Sequence, residues 1–120
     1  MAISAENKSQ IIANAADDKK AMDIVIMNMY DLTTTTDYFI VCSATTSTQV
    51  RAIADNIEDE MSKLGEECLH KEGYRTGEWI LLDFGNCVAH VFIDEARRFY
   101  GIESLWGEAP FVDVVELKLN

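Results

Sequence analysis

A chain of 120 residues, 48% hydrophobic and 26% charged, with one proline and six glycines, has the size and make-up of one globular domain. Ten basic against 21 acidic residues leave a net charge of -11, which repels phosphate backbones and argues against direct nucleic-acid binding, whereas a basic protein partner suits such a field. Three cysteines without C-x-x-C spacing (Cys42, Cys68 and Cys87) read as reduced, cytosolic core residues; no stretch approaches the ~18 apolar residues of a membrane span, and the N-terminus lacks a basic-then-apolar export pattern.

From Glu6 to about Lys20, Ile11, Ile12, Ala15 and Ala16 recur at helical spacing, predicting a first amphipathic helix. Asp23 to Tyr30 is short, apolar and rich in β-branched residues, as a strand requires. Thr33 to Thr36 form a polar connection, and Tyr38 to Ser43 reads as a strand covered on both faces. A second helix is marked by Val50, Ile53, Ala54, Ile57, Met61 and Leu64. Thr46 and Gln49 have the spacing of a reciprocal capping box, and Gly65 can take the left-handed conformation that stops the helix. A short strand is expected around Cys68 to Lys71, then a turn flanked by Gly73 and Gly77. Glu78 to Phe84 and Cys87 to Ile93 follow as a hairpin joined at Gly85-Asn86. Asp94 can cap a last helix that runs through Tyr100 and ends at Gly101. The elements predict one α/β (α+β) domain over residues 1–120, a mixed five-stranded sheet with helices packed on it, its core at about 6–107 and a tail at 108–120.

A two-residue turn at Gly85-Asn86 opposes Phe84 to Cys87, Leu82 to Ala89 and Ile80 to Val91. One face of the hairpin is then wholly apolar and belongs against the helices. The other carries Trp79, Leu81, Asp83, Val88, His90 and Phe92, a mixture unusual for a solvated face. Two readings remain open: an interface centred on an aromatic anchor, or a face covered by the N-terminal helix or the tail, with His90 a satisfied core histidine.

Motifs for other chemistry fail on their surroundings. Asp83-Phe84-Gly85 matches a kinase triplet without the rest of a kinase, and neither G-K-[ST] nor G-x-G-x-x-G occurs. Cys68 and His70 lie two apart, but with Cys42, Cys87 and His90 elsewhere no zinc-ligand spacing exists. Ser43, Asp83 and His90 make a triad only by chance, since Ser43 sits in no nucleophile-elbow sequence. Ser43 before a helix N-terminus has the order of a nucleotidyltransferase turn, yet Asp37 stands alone without the second acid that would hold a metal. No cofactor or metal is expected.

Several strings in order resemble the ribosomal silencing factor (Iojap) family: Ala16-Asp17-Asp18-Lys19; Asp37-Tyr38-Phe39 with Ser43 and Gln49-Val50; Glu72-Gly73; Gly77 through Gly85 running on to His90-Val91-Phe92; then Arg97, Tyr100 and Leu105-Trp106-Gly107. The resemblance spans about residues 10 to 110. It departs at Ala44, where the family often has glycine, and at Thr45-Thr46 in place of Asn-Ser.

The resemblance implies a nucleotidyltransferase-like fold without catalytic residues, a cytoplasmic protein that is frequently a homodimer, and no enzymatic activity. It also implies binding to ribosomal protein fourteen of the large ribosomal subunit and a steric block to joining of the small subunit, repressing translation under nutrient limitation. On the matching positions, Trp79 is the expected anchor, with Asp83, Glu72, Gly73, His90 and Leu81 around it; Tyr74, Arg97, Tyr100 and Trp106 are secondary interface or structural residues. On this expectation Trp79→Ala weakens partner binding with little loss of fold. Two other readings stand beside it: an adaptor for large-subunit assembly, and a degenerate nucleotidyltransferase-type enzyme still using Ser43 and Asp37.

Overall fold

The computed structural model describes residues 3–117, so the first two residues and the last three of the expected tail lie outside the described residues. The elements are α1 (Ala5–Asp18), β1 (Met22–Asn28), β2 (Tyr38–Ala44), α2 (Ser47–Lys63), β3 (His70–Glu72), β4 (Trp79–Asp83), β5 (Cys87–Ile93), α3 (Asp94–Tyr100), α4 (Ile102–Leu105) and β6 (Phe111–Val112). The strands form one mixed sheet in the order β3-β4-β5-β2-β1-β6, with β2 and β5 parallel and the other neighbours antiparallel.

Helix α2 obeys its sequence signals at both ends, with one exception. Thr46 accepts a hydrogen bond from the Gln49 amide at 3.1 Å. The Gln49 side chain does not complete the box; it turns away and donates to the carbonyls of Lys19 and Lys20 at 3.4 and 3.5 Å, tying the helix start to the end of α1. At the other end Gly65, at φ 78°, lets its own N–H reach Ser62 and the Glu66 N–H reach Met61, a paired closure that satisfies two otherwise free carbonyls. The Thr45-Thr46 departure thus leaves a well-capped helix.

The apolar stripes of α1 and α2 pack on one face of the sheet. Ile12, Ala16, Ile53, Ile57 and Met61 meet Ile80, Leu82, Cys87, Ala89 and Val91, all buried. Each large side chain removed from water there contributes about 1.5–3 kcal/mol. The hairpin register is the expected one, with Leu82 opposite Ala89 and Ile80 opposite Val91, and Phe84 donates its N–H to the Cys87 carbonyl at 2.8 Å. Cys42 and Cys87 are buried and Cys68 half-buried; burial pushes the thiols of Cys42 and Cys87 up to about 12.

Three expectations are corrected. The sheet has six strands, because Phe111 and Val112 pair with Met27 and Ile26 of β1. Beyond them residues 113–117 lie along α1 without forming a helix or strand of their own: Gln10 donates to the Asp113 carbonyl and accepts from Val115, while Asn14 donates to the Val115 carbonyl and accepts from Leu117. Two amide side chains one turn apart thereby stand in for a neighbouring strand. Asp94 does not cap α3; Ile93 holds the cap position, and Asp94 sits in the first turn, paired with Arg98 at 3.2 Å. The strand expected at Cys68 to Lys71 begins later, at His70.

Candidate interaction surface

Strand alternation places Trp79, Leu81 and Asp83 of β4 on the sheet face opposite α1 and α2, together with Val88, His90 and Phe92 of β5. Pairing with β3 adds Glu72 opposite Leu81 and His70 opposite Asp83, and pairing with β2 adds Phe39 and Val41. Over the β5, β2 and β1 part of this face lie α3, α4 and the chain after them, enclosing a second core of Met27, Met29, Val41, Phe92, Ile102 and Ala109. The β3 and β4 part is left more open: Trp79, Leu81 and Asp83 are half-buried, and Glu72 and His70 are exposed. The cover is therefore α3, α4 and the chain after them, and not the N-terminal helix, which packs on the opposite face.

Trp79 stands at the boundary. Its indole stacks on Phe92 with ring centroids 4.9 Å apart, and Tyr100 of α3 lies against it at 4.9 Å. The indole N–H donates to His90 Nδ1 at 3.1 Å. His90 must then carry its proton on Nε2, which has no hydrogen-bond partner among the described residues. Phe39 meets the imidazole edge-on at 4.6 Å, and burial lowers the His90 pKa to about 4, keeping the ring neutral near pH 7. At 4% exposed, His90 lies beneath the surface that the interface reading assigned it, as the covered reading had it, and its ring holds the indole N–H.

The acids of the open part are partly committed. One Asp83 carboxylate oxygen accepts from the Gly85 N–H at 2.7 Å, closing the hairpin turn. Glu72 meets His70 Nε2 at 2.6 Å. Gly73 supplies no contact group; a Cβ there would come 1.9 Å from the Trp79 carbonyl oxygen, so glycine lets the β3–β4 turn back directly onto the strand that carries the indole.

Of the secondary residues, Tyr74 turns toward α2, donating its hydroxyl to Asp55 at 3.0 Å, and does not join the Trp79 face. Arg97 is structural. Its guanidinium is buried, makes paired bonds to Glu103 at 2.8 and 3.0 Å, and donates to Ser43 Oγ at 3.1 Å and to the Met22 carbonyl at 3.3 Å. An irregularity in the β1 ladder after Met22, with Asp23 at φ 49°, accompanies that last contact. Trp106 is half-buried and meets Phe39 edge-on at 6.2 Å, whereas Tyr100 is exposed beside Trp79. Sequence reading passed over Phe99, which is 81% exposed. The signal was present in Arg97-Arg98-Phe99-Tyr100: adjacent aromatic residues on one short helix cannot both face the sheet.

Ser43 is wholly buried with Arg97 against its hydroxyl, so the serine invoked by the transferase reading does not face solvent. Among the described residues no three His, Cys, Asp or Glu side chains gather where they could hold a metal ion. No helix of the described residues is long and apolar enough to cross a membrane.

The family model described as "ribosomal silencing factor during starvation" matches residues 2–120. The chain belongs to the ribosomal silencing factor family. The silencing factor of Bacillus subtilis is 39% identical over 105 residues, covering 88% of this chain and 89% of that protein. The chloroplastic Iojap protein of Zea mays is 32% identical over 106 residues, 86% of this chain and 45% of that longer protein. A crystal structure of a Chromobacterium violaceum protein superposes with a TM-score of 0.86 at 31% identity, covering 88% of each chain. This silencing factor thus shares its helices and mixed sheet with a solved structure, and it belongs to a family that acts on translation and not as an enzyme.

Proposed function

We propose that this silencing factor binds the large ribosomal subunit through ribosomal protein fourteen, using the open part of the sheet face, and that the bound molecule occupies the space the small subunit needs for joining. The observation that carries this reading is the row Trp79, Leu81 and Asp83, backed by Phe92 and His90 and flanked by the exposed Glu72. A fixed indole set among acids suits a basic protein surface, because aromatic anchors supply binding energy and charge complementarity sets encounter and register. The chain exposes 6881 Å² in all, of which a standard interface takes ~800 Å².

In this reading the nucleotidyltransferase-like frame serves as a scaffold, the chain works in the cytoplasm, and the free protein is a homodimer, which sedimentation velocity would read directly. The gradient experiment tests the main claim. Purified protein should comigrate with free large subunits in sucrose and lower the fraction of joined ribosomes; cosedimentation with small subunits alone would contradict it. Binding that leaves joining unaffected, with precursor particles accumulating in a deletion strain under rich growth, would favour the assembly-adaptor reading.

A further inference from the structure

The aromatic run that begins in the second core does not end at Trp79. Phe92, Trp79, Tyr100 and Phe99 follow one another at centroid separations of 4.9, 4.9 and 5.1 Å, from a fully buried ring to one that is 81% exposed. Phe99 and Tyr100 form one wall of a shallow groove completed by Ile93 and Ala96, with Glu78 and Glu95 on its rim. Glu95 lies one helical turn before Phe99, on the same side of α3. Among the described residues neither Glu78 nor Glu95 has a basic group within ion-pair distance. The nearby cations are engaged elsewhere: Arg98 pairs with Asp94, and Arg97 is buried with Glu103.

We propose that the binding surface continues from Trp79 across α3, where the Phe99–Tyr100 edge between Glu78 and Glu95 receives an arginine- or lysine-bearing segment of the same basic partner. This rests on the large-subunit reading above and extends it to a second lobe. Two aromatic rings beside two unpaired carboxylates match a long cationic side chain, whose stem packs on the rings while its head meets the acids. An acidic partner fits poorly, because it would bring like charge to an acidic rim on a chain of net charge -11. Nucleic acid is disfavoured for the same reason.

Binding of full-length protein to purified large subunits, measured across a salt series, tests this. Phe99→Ala should bind about tenfold more weakly with an unchanged melting temperature, since so exposed a ring supports little of the fold. The double substitution Glu78→Gln/Glu95→Gln should slow association and flatten its dependence on salt. If both variants bind within about twofold of wild type with the same salt dependence while Trp79→Ala is weakened, the second lobe is refuted and the sheet interface stands. A wild-type chain that does not bind large subunits at all overturns the proposed function, and this surface with it.

Discussion

Replacing Trp79 with alanine bears on both the fold and the interface, and the structure separates the two contributions. The indole stacks on Phe92 and Tyr100 and donates to His90 Nδ1, so its removal opens a space over the second core and leaves a buried imidazole nitrogen without its donor. Full truncation of a core tryptophan costs roughly 3–5 kcal/mol; because this ring is only partly enclosed, the low end applies, about 3 kcal/mol. A domain of this size has about 5–15 kcal/mol of stability, so most molecules remain folded. The expectation of little structural loss is thereby replaced by a substantial one. Urea unfolding followed by circular dichroism reads the first effect, and large-subunit binding per folded molecule reads the second. As an interface anchor, the indole should be worth about 2 kcal/mol or more of binding, roughly thirtyfold in affinity. Trp79→Phe should restore much of the stability, since stacking survives, while restoring less of the binding. Unchanged stability in Trp79→Ala would refute the packing argument, and unchanged affinity per folded molecule would remove the anchor.

Arg97→Ala should lower stability by about 3 kcal/mol, because Ser43 and Glu103 lose a buried charged partner, although Glu103 regains some solvation; a urea midpoint within error of wild type would contradict its structural role. Gly73→Ala should destabilise by more than about 3 kcal/mol, combining a φ of 82° with a Cβ 1.9 Å from the Trp79 carbonyl, and a melting curve matching wild type would show that the turn can move aside. His90 adds a pH dependence whose sign follows from its lowered pKa of about 4. The unfolded chain takes up this proton below about 6.5 and the folded chain does not, so stability falls as pH drops from about 6.5 toward 4, by roughly 3 kcal/mol. In His90→Gln that slope should flatten; an identical slope in urea titrations at several pH values would assign it to other groups.

The local rules of the chain were readable where the residues that obey them are close in sequence. Thr46 and Gly65 bound α2, and Gly85-Asn86 sets a register that sorts Ile80 and Leu82 from Trp79 and Leu81 without reference to the rest of the fold. Long-range choices were not legible. Gln10 and Asn14 look like ordinary polar positions on a helix, and only the folded chain brings the 113–117 backbone within their reach. Gln49 satisfies the spacing of a capping box, yet the carbonyls of Lys19 and Lys20 compete for it successfully.

The candidate surface shows the same division. Alternation assigns the side chains to a face, but only tertiary packing decides which part of that face α3 and α4 cover. His90 therefore shares a face with Trp79 but is buried under the cover over β5, as the covered reading had it, though its Nε2 lacks the partner of a satisfied core histidine. Phe99 was missed for the complementary reason. A helix that uses Ala96 and Arg97 to dock leaves its other aromatic residue facing outward.

The most direct measurement is a cryo-electron microscopy structure of the chain on the large subunit. It should show Trp79 and Leu81 pressed against ribosomal protein fourteen and the body of the molecule overlapping the position of the small subunit. Density that turns β3 and β4 toward solvent, with contact made instead through α1 and α2, would contradict the account.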